Sequence, residues 1–474
     1  MYWQMLSIRD IIKATGGSIV VEGNTEFTGV SIDSRTIKSG ELLIALKGDR
    51  FDGHDFLIDA LKSGGGAVVN NLQFMAQGLP IEDRTIILVD NTLLALHNLA
   101  RYMRRRFKGH VIGVVGSNGK TTTKEFISTI LNTRLSVLKT SGNLNNHIGM
   151  PLSITMMDKN TRIMVLEMGT NKPGDVDELC SIALPDIGVI TNIGYEHLQG
   201  FGSLYKVRDA ELEIAPFVKK LAVNADDSFL MEGVSAKFKG EIITFAIENQ
   251  DADLIARDIV FSDEGTGFLL CAGKECIDIN LKIQGRFNVY NSLAGAAAAY
   301  AVGFNLHEIK RGLESFEGVN MRFEIKKNRG VTFLNDVYNA NPSSMEESIN
   351  ELTRLVSSGK YKRAIAVLGD MLELGDYGVT EHKKLGQRLS DISVDTFIGV
   401  GPLMSFAVSE FRGNGIYADT SEDAGVKLSE IIDDGDIVLI KGSRGMRMER
   451  VMAAIEGSKE SVGFTGDFSG RHRD

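Results

Sequence analysis

Residues 111–131, VIGVVGSNGKTTTKEFISTIL, constrain this chain more than any other stretch. A β-branched apolar run leads into Gly116-Ser117-Asn118-Gly119-Lys120-Thr121-Thr122, and Phe126, Ile127, Ile130 and Leu131 then recur at helical spacing. The order is strand, glycine loop, helix. Glycines let backbone N–H groups converge on an anion, and a helix N-terminus adds a favourable field. Lys120 supplies a mobile cation for terminal phosphates, and Thr121 can place its hydroxyl on Mg²⁺. The usual G-x-x-x-x-G-K-[ST] spacing is not met, because Val114 stands where its first glycine would be and Gly116 is the extra one. The segment predicts a nucleotide-binding loop.

At 474 residues the chain is too long for one ordinary core, so two to four domains are expected. A hydrophobic content of 43% with 51 glycines fits a globular protein, and a formal charge of −10 argues against nucleic acid or an anionic membrane as the main partner. Cys180, Cys271 and Cys276 lie far from any metal spacing. Their odd number suits a reducing compartment, with each read as a small, partly buried residue. The N-terminus MYWQMLSIRDIIKATGG lacks the basic flank and long apolar run of a signal peptide, and no stretch is long and apolar enough for membrane insertion. A cytosolic monomer is expected.

Three sections follow from patterning. The first, residues 1–108, has short strands (SIVVEG, FTGVSIDSR, ELLIALKG, GAVVN, TIILVD) and ends in the basic run Arg104-Arg105-Arg106-Phe107-Lys108, read as a solvated helix end. The second, 109–318, alternates helices with buried-strand runs IMVLEMG, DIGVITNIG and KLAVNADD, then short alternating strands over 251–283 and an alanine-rich helix over 292–302. The third, 319–474, restarts the α/β pattern with VTFLND, AIAVLGD, TFIGVG and DIVLIKGS. Within it, Ser343-x-x-Glu346 reads as a capping box, and the polar tail GFTGDFSGRHRD is expected to fray.

Several strand ends carry chemistry. Glu167 closes IMVLEMG, where a carboxylate can reach Mg²⁺ held by Thr121. His197 follows the next strand end. NDVYNANPSSM packs Asp336, Tyr338, Asn339 and Asn341 into one loop, and Lys441-Gly442-Ser443-Arg444 brings two cations to another. Arg322 precedes the first strand of the third section. Ser34, Arg35, Lys47, Arg50 and His54, taken alone, read as a polar turn region.

Together these motifs, with SGNLNNHIG, ALKGDRFDGHDF, GRFNVYN and GDMLELG, resemble the Mur ligases, ATP-dependent amide-forming enzymes of peptidoglycan precursor synthesis. SGNLNNHIG, ALKGDRFDGHDF and GDMLELG resemble the branch that adds D-alanyl-D-alanine to a UDP-N-acetylmuramoyl-tripeptide. The resemblance implies an α/β protein of three domains: a small UDP-sugar-binding domain, a central P-loop-type parallel-sheet ATPase domain and a C-terminal Rossmann-like ligase domain. It implies that Gly116 to Thr122, Asn288, Asn291, Arg322 and Asp336 bind ATP. Thr121, Glu167, His197 and Glu211 would hold Mg²⁺, and Ser34, Arg35, Lys47, Arg50 and His54 would surround the uridine diphosphate. Asn143, Asn145 and Asn146 would line the muramoyl peptide, with Tyr338, Asn339, Asn341, Ser443 and Arg444 about the remaining substrate. Lys120, Glu167, His197, Arg322 and Lys441 form the implied catalytic set.

The implied chemistry is activation of a peptide carboxylate as an acyl phosphate, then attack by an amine. It needs no protein nucleophile. Two departures from the family pattern stand out. Phe287 replaces a histidine in GRFNVYN, and Glu211 occupies the place of a lysine that the family carbamylates to bind metal. The expectation is that Glu211, with Asp209, supplies that carboxylate. Two alternatives remain: a related ligase with another amine, or a nucleotide-binding regulatory protein with a vestigial site.

Overall fold

The computed structural model describes residues 6–48, 50–73, 83–392 and 394–456. The tail expected to fray lies outside them. The chain forms two compact units, residues 1–318 and 319–474. Both are α/β.

In the first unit, a five-stranded sheet runs in the order Ser18–Val21, Thr85–Leu88, Gly66–Val69, Leu42–Ile44, Val30–Ser31, parallel except for its first pair. A nine-stranded sheet runs Glu275–Leu281, Gly265–Ala272, Leu254–Ser262, Glu241–Ala246, Lys220–Asn224, Ile187–Ile190, His110–Val115, Ile163–Glu167, Val137–Lys139. Its last seven strands are parallel, and the central ones, His110–Val115, Ile163–Glu167 and Ile187–Ile190, are almost wholly buried, as their apolar runs require. After His110–Val115 the chain crosses to one side for Val137–Lys139 and Ile163–Glu167, and then to the other for Ile187–Ile190. The glycine loop therefore leaves its strand where the strand order reverses, the place at which open α/β sheets form a binding crevice.

The basic run at residues 104–108 does end a helix with Arg105, Arg106 and Lys108 exposed, but Arg104 departs from that reading. Helix Thr92–Arg106 packs its apolar face into the same core as Val111 and Val115. Arg104 is buried, donating to the carbonyls of Ala183 (2.7 Å) and Leu184 (2.7 Å) and pairing with Asp186 at 3.1 Å. An Arg stem packs in apolar surroundings when its head finds fixed acceptors. Arg106 reaches Asp10 and Tyr102.

Two cysteines also depart from expectation. Cys271 and Cys276 sit directly opposite each other in adjacent antiparallel strands, with Cα atoms 4.1 Å apart, and form a disulfide. Spacing in the sequence hides this, because it depends on hairpin register. Only Cys180 keeps a free, buried thiol, its pKa pushed up by burial. The odd cysteine count thus no longer argues for a reducing compartment.

The alanine-rich helix begins earlier than expected, at Arg286, and runs to Val302 with nearly every side chain buried after its first turn. It lies against helix Lys120–Asn132, which follows the glycine loop.

In the second unit, six strands are ordered Glu324–Asn328, Val331–Asp336, Ile437–Lys441, Ala364–Gly369, Thr396–Val400, Asn414–Ala418, parallel except for the first pair. The edge strand Asn414–Ala418 carries little apolar patterning and is absent from the sequence reading. The capping box is shifted from Ser343 and Glu346. Asn341 caps helix Pro342–Val356 by accepting from the Ser344 amide at 2.8 Å, and Ser344 completes the box. Pro342 is the reason: it lacks an N–H and has a helical φ, so it takes the first helical position and places the cap one residue before. Glu346 instead pairs with Arg388 at 2.9 Å. No helix among the described residues is long and apolar enough to cross a membrane.

Candidate active site

The loop has the backbone that its glycines permit. Gly116 has φ +118° and Gly119 φ +80°, and a Cβ would meet Thr191 Oγ1 at 2.2 Å and Asn291 Oδ1 at 2.1 Å, respectively. Only glycine fits either position. Helix Lys120–Asn132 starts at once and has no side-chain cap, which leaves its first amides to an anion.

A second segment, Thr191–Gly194, holds the loop in shape, a role the sequence reading did not assign. Ser117 N donates to the Asn192 carbonyl (2.9 Å) and Asn118 N to Asn192 Oδ1 (3.0 Å). Gly194 N donates to Ser117 Oγ (2.9 Å), and Thr191 Oγ1 donates to the Asn118 carbonyl (2.6 Å). The signal was present in TNIG, which directly follows a buried strand.

Glu167 closes strand Ile163–Glu167 and is buried. Its Oε1 accepts from Thr121 Oγ1 at 3.1 Å and from Asn145 Nδ2 at 2.9 Å. Its Oε2 lies 3.5 Å from Nζ of Lys124, which is fully buried and donates to the Thr140 carbonyl at 2.9 Å. Lys124, one turn after Lys120, is a further residue the sequence reading missed. Glu167 thus stands beside Thr121, and Asn145 meets the same carboxyl.

Lys120 Nζ donates to the carbonyls of Gly116 (2.5 Å) and Ser117 (3.2 Å) and lies 3.5 Å from Glu196 Oε2. Burial disfavours its charge, but Glu196, Glu211 and Glu167 outweigh that, so its pKa is raised. Glu211 is fully buried on helix Leu204–Glu211, and its Oε2 accepts the Gly116 N–H at 2.8 Å. Burial raises its pKa, and the neighbouring Glu196 carboxyl adds to this against the opposing pull of Lys120. Asp209 does not join it. It is exposed and pairs with Lys237 at 2.9 Å, because helix residues two apart point in different directions. Glu196 is the neighbour instead, reached across a loop.

His197 is half-buried with φ +44° and precedes the short helix Leu198–Phe201. Among the described residues no group of three or more His, Cys, Asp or Glu could hold a metal ion. Thr121, Glu167, His197 and Glu211 are thus no preassembled cage. Asn291 Nδ2 donates to Asn288 Oδ1 (3.2 Å), and Asn288 Nδ2 to the Gln284 carbonyl (2.7 Å). Both asparagines are buried, and Asn291 packs on Gly119. Asn143 is exposed, whereas Asn146 Oδ1 accepts the amides of Ile148 (3.1 Å) and Gly149 (2.9 Å).

Further along the first unit's N-terminal sheet, Ser34 is half-buried, and Arg35, Lys47 and Arg50 are exposed. Arg35 makes a two-toothed pair with Asp33 (2.9 and 2.7 Å), and Lys47 lies 3.9 Å from Asp52. His54 is buried with both ring nitrogens engaged, Nδ1 with Asp52 (2.5 Å) and Nε2 with the Asn70 amide (3.2 Å). It braces the turn.

In the second unit, in-register pairing of two parallel strands sets Asp336 beside Lys441, at 2.5 Å. Lys441 also donates to the Asn339 carbonyl (3.0 Å), and Asp336 Oδ2 accepts from Ser348 Oγ (2.8 Å). Ser443 Oγ donates to the Ala340 carbonyl (3.1 Å) and accepts the Leu372 amide (2.8 Å). Arg444 N donates to Asn339 Oδ1 at 3.4 Å, while its guanidinium pairs with Glu449. Arg322 stacks 3.9 Å over the Tyr338 ring. The loops around NDVYNANPSSM and KGSRG thus form one cluster.

A glycine loop at the switch point of a parallel sheet, with a buried lysine and acids behind it, defines a nucleotide-binding α/β enzyme. The sequence matches the Mur ligase family catalytic domain over residues 26–104, the Mur ligase middle domain over 114–299 and the Mur ligase glutamate ligase domain over 321–444. The chain belongs to the Mur ligase family. It is 38% identical to the UDP-N-acetylmuramoyl-tripeptide–D-alanyl-D-alanine ligase of Bacillus subtilis (strain 168), over 94% of this chain and 96% of that one. The Escherichia coli (strain K12) ligase of the same name is 32% identical, over 90% and 93%. Among solved structures, MurF from Acinetobacter baumannii superposes with a TM-score of 0.87 at 30% identity, covering 96% of this chain and 99% of that one. Thermotoga maritima MurF in complex with ADP gives 0.79 at 30% identity, covering 90% and 97%.

Proposed function

We propose that the chain is an ATP-dependent ligase adding D-alanyl-D-alanine to UDP-N-acetylmuramoyl-tripeptide in peptidoglycan precursor synthesis. The observation that carries this is Lys120, at the end of a glycine loop among three carboxylates, in a chain whose relatives bear that activity in their names over nearly its whole length. In this reading residues 1–108 hold the UDP-sugar, 109–318 bind ATP, and 319–474 bring the amine.

A carboxylate is a poor acyl donor, and its attack on the γ-phosphate of ATP brings two anions together. Lys120 and the loop amides offset that charge. The product of this step is an acyl phosphate. Attack by the amine of D-alanyl-D-alanine gives a tetrahedral intermediate, which collapses to the amide and releases phosphate. Asn288 and Asn291 face the adenine side of the loop, and Lys441, Ser443 and Arg444 form the landing loop for substrate. Mg²⁺ fits the acids present, since buried Glu167 Oε2 has no hydrogen-bond partner and Thr121 stands beside the same carboxyl. When bound by Thr121 and Glu167 it would neutralise phosphate charge.

The test is phosphate release by the purified chain with ATP and Mg²⁺. Release that needs both UDP-N-acetylmuramoyl-tripeptide and D-alanyl-D-alanine is expected. Release with a different amine would redirect the proposal to a related ligase, and ATP binding without turnover would overturn it.

A further inference from the structure

Lys124 has no part in the reaction just described, yet it is fully buried against a carboxyl that the reaction uses. It lies one turn beyond Lys120 on helix Lys120–Asn132, so both side chains leave the same helix face. Their ends are engaged differently. Lys120 leans on carbonyls of its own loop. Lys124 Nζ donates to the Thr140 carbonyl at 2.9 Å and lies 3.3 Å from Glu125 Oε1 and 3.5 Å from Glu167 Oε2. A buried ammonium cannot leave such partners for a phosphate without stranding their charges. Any role it has in the reaction must run through Glu167.

Thr140 completes the arrangement. It follows strand Val137–Lys139, whose parallel pairing with Ile163–Glu167 brings it level with that strand's end. Thr140 is fully buried, its amide donates to the Val165 carbonyl (3.2 Å), and its Oγ1 accepts the Glu167 amide (3.0 Å). Glu167 is therefore held at its backbone by Thr140 and at Oε1 by Thr121 and Asn145. At Oε2 it meets the charge of Lys124 but receives no hydrogen bond. That difference matters chemically. A carboxyl oxygen already hydrogen-bonded must give up a donor to take a metal, whereas one attracted at 3.5 Å keeps its lone pairs and its orientation.

We propose that Lys124 and Thr140 are positioning residues for the metal-binding carboxylate, holding Glu167 in the orientation in which it meets nucleotide-bound Mg²⁺. Lys124 acts by its charge at Oε2. Thr140 acts by fixing both Lys124 and the Glu167 backbone. The inference rests on the nucleotide and metal reading above. Outer partners of a ligating carboxylate typically set metal affinity by about ten- to a hundredfold. Neither residue is marked by the glycine-loop pattern, because their meeting with Glu167 depends on strand order.

The experiment is a Mn²⁺ titration of the full chain with a non-hydrolysable ATP analogue, read by electron paramagnetic resonance. Glu167→Gln marks the site by removing the ligand itself. Lys124→Gln keeps a donor for the Thr140 carbonyl but no charge, and is expected to hold that Mn²⁺ about tenfold more weakly. Thr140→Ala removes the acceptor of the Glu167 amide and should weaken it about fivefold, as loss of one hydrogen bond implies. Affinity for the analogue without metal should stay within about twofold of the wild type in both, since neither residue reaches phosphate. In turnover, the Mg²⁺ concentration for half-maximal rate should rise by the same factors, with kcat largely recovered at saturating Mg²⁺. Glu125→Gln removes the other carboxyl facing Lys124 and should leave Mn²⁺ affinity unchanged. Wild-type Mn²⁺ affinity in Lys124→Gln, or equal weakening in Glu125→Gln, would overturn the proposal. So would an effect confined to melting temperature, which assigns Lys124 to structural support. If Lys124→Gln fails to fold, Thr140→Ala decides: weakened Mn²⁺ supports the proposal and wild-type affinity overturns it. A wild type that binds the analogue but no Mn²⁺ would remove the metal reading, and one that binds no analogue the nucleotide-site reading.

Discussion

Lys120 in the first unit and Lys441 in the second are both lysines set against carboxyl groups, but they are held in opposite ways. Lys441 sits 2.5 Å from Asp336 and 3.0 Å from the Asn339 carbonyl, at the end of a strand whose register fixes it there. Lys120 has Glu196 only at 3.5 Å and otherwise leans on carbonyls of its own loop. The contrast separates two uses of one residue type. A short, in-register pair shapes loops; a lysine attracted by several carboxyls at a distance can exchange them for a stronger anion.

The largest expected effect tests that contrast directly. Lys120→Met should lower kcat about 100- to 1000-fold, as loss of a transition-state charge contact does, with a melting temperature close to that of the wild type. Lys441→Met should instead lower stability by about 3 kcal/mol in urea unfolding, because the largely enclosed Asp336 carboxylate loses its close cation and keeps neutral donors. The reverse pattern would break the comparison.

A pH series sharpens it at intermediate size. Burial pushes Glu211 up to about 8, and burial with the nearby Asp336 charge pushes Glu347, opposed by Lys441, up to about 7. Each folded carboxyl holds a proton that the unfolded chain releases from its ordinary value of 4.5, so stability falls as pH rises. The metal-free chain should therefore lose stability from about pH 5 to about pH 8, with the Glu347 share ending earlier. Glu211→Gln should flatten the upper part of that slope in urea midpoints. An unchanged slope would remove Glu211 as its source. The smallest effect belongs to Asn341→Ala, expected to cost about 1 kcal/mol of stability through the lost helix cap. A greater loss of amine-dependent turnover than of stability would give Asn341 a substrate role as well.

Much of this was legible in the residues. The strand, loop and helix at 111–131 lie where the pattern placed them, since glycine freedom and helical spacing are local properties. Glu167 closes its strand and meets Thr121 as expected. Less was legible where partners lie far along the chain. Arg104 reads as one of several exposed basic residues until Leu184 and Asp186 fold against it. Cys271 and Cys276 read as isolated until hairpin register pairs them. The helix cap at Asn341 stands two residues before the Ser343 cap that local pattern suggests, because Pro342 takes the first helical position.

By itself, the sequence determined the phosphate loop, the α/β alternation and the family, because each rests on runs of neighbouring residues. Tertiary structure alone decided which acid stands beside Glu211. Asp209 is nearer in sequence and turns to Lys237, whereas Glu196 crosses a loop and a helix to reach it. Backbone periodicity sets where a side chain points; only the folding of one segment over another sets what it meets.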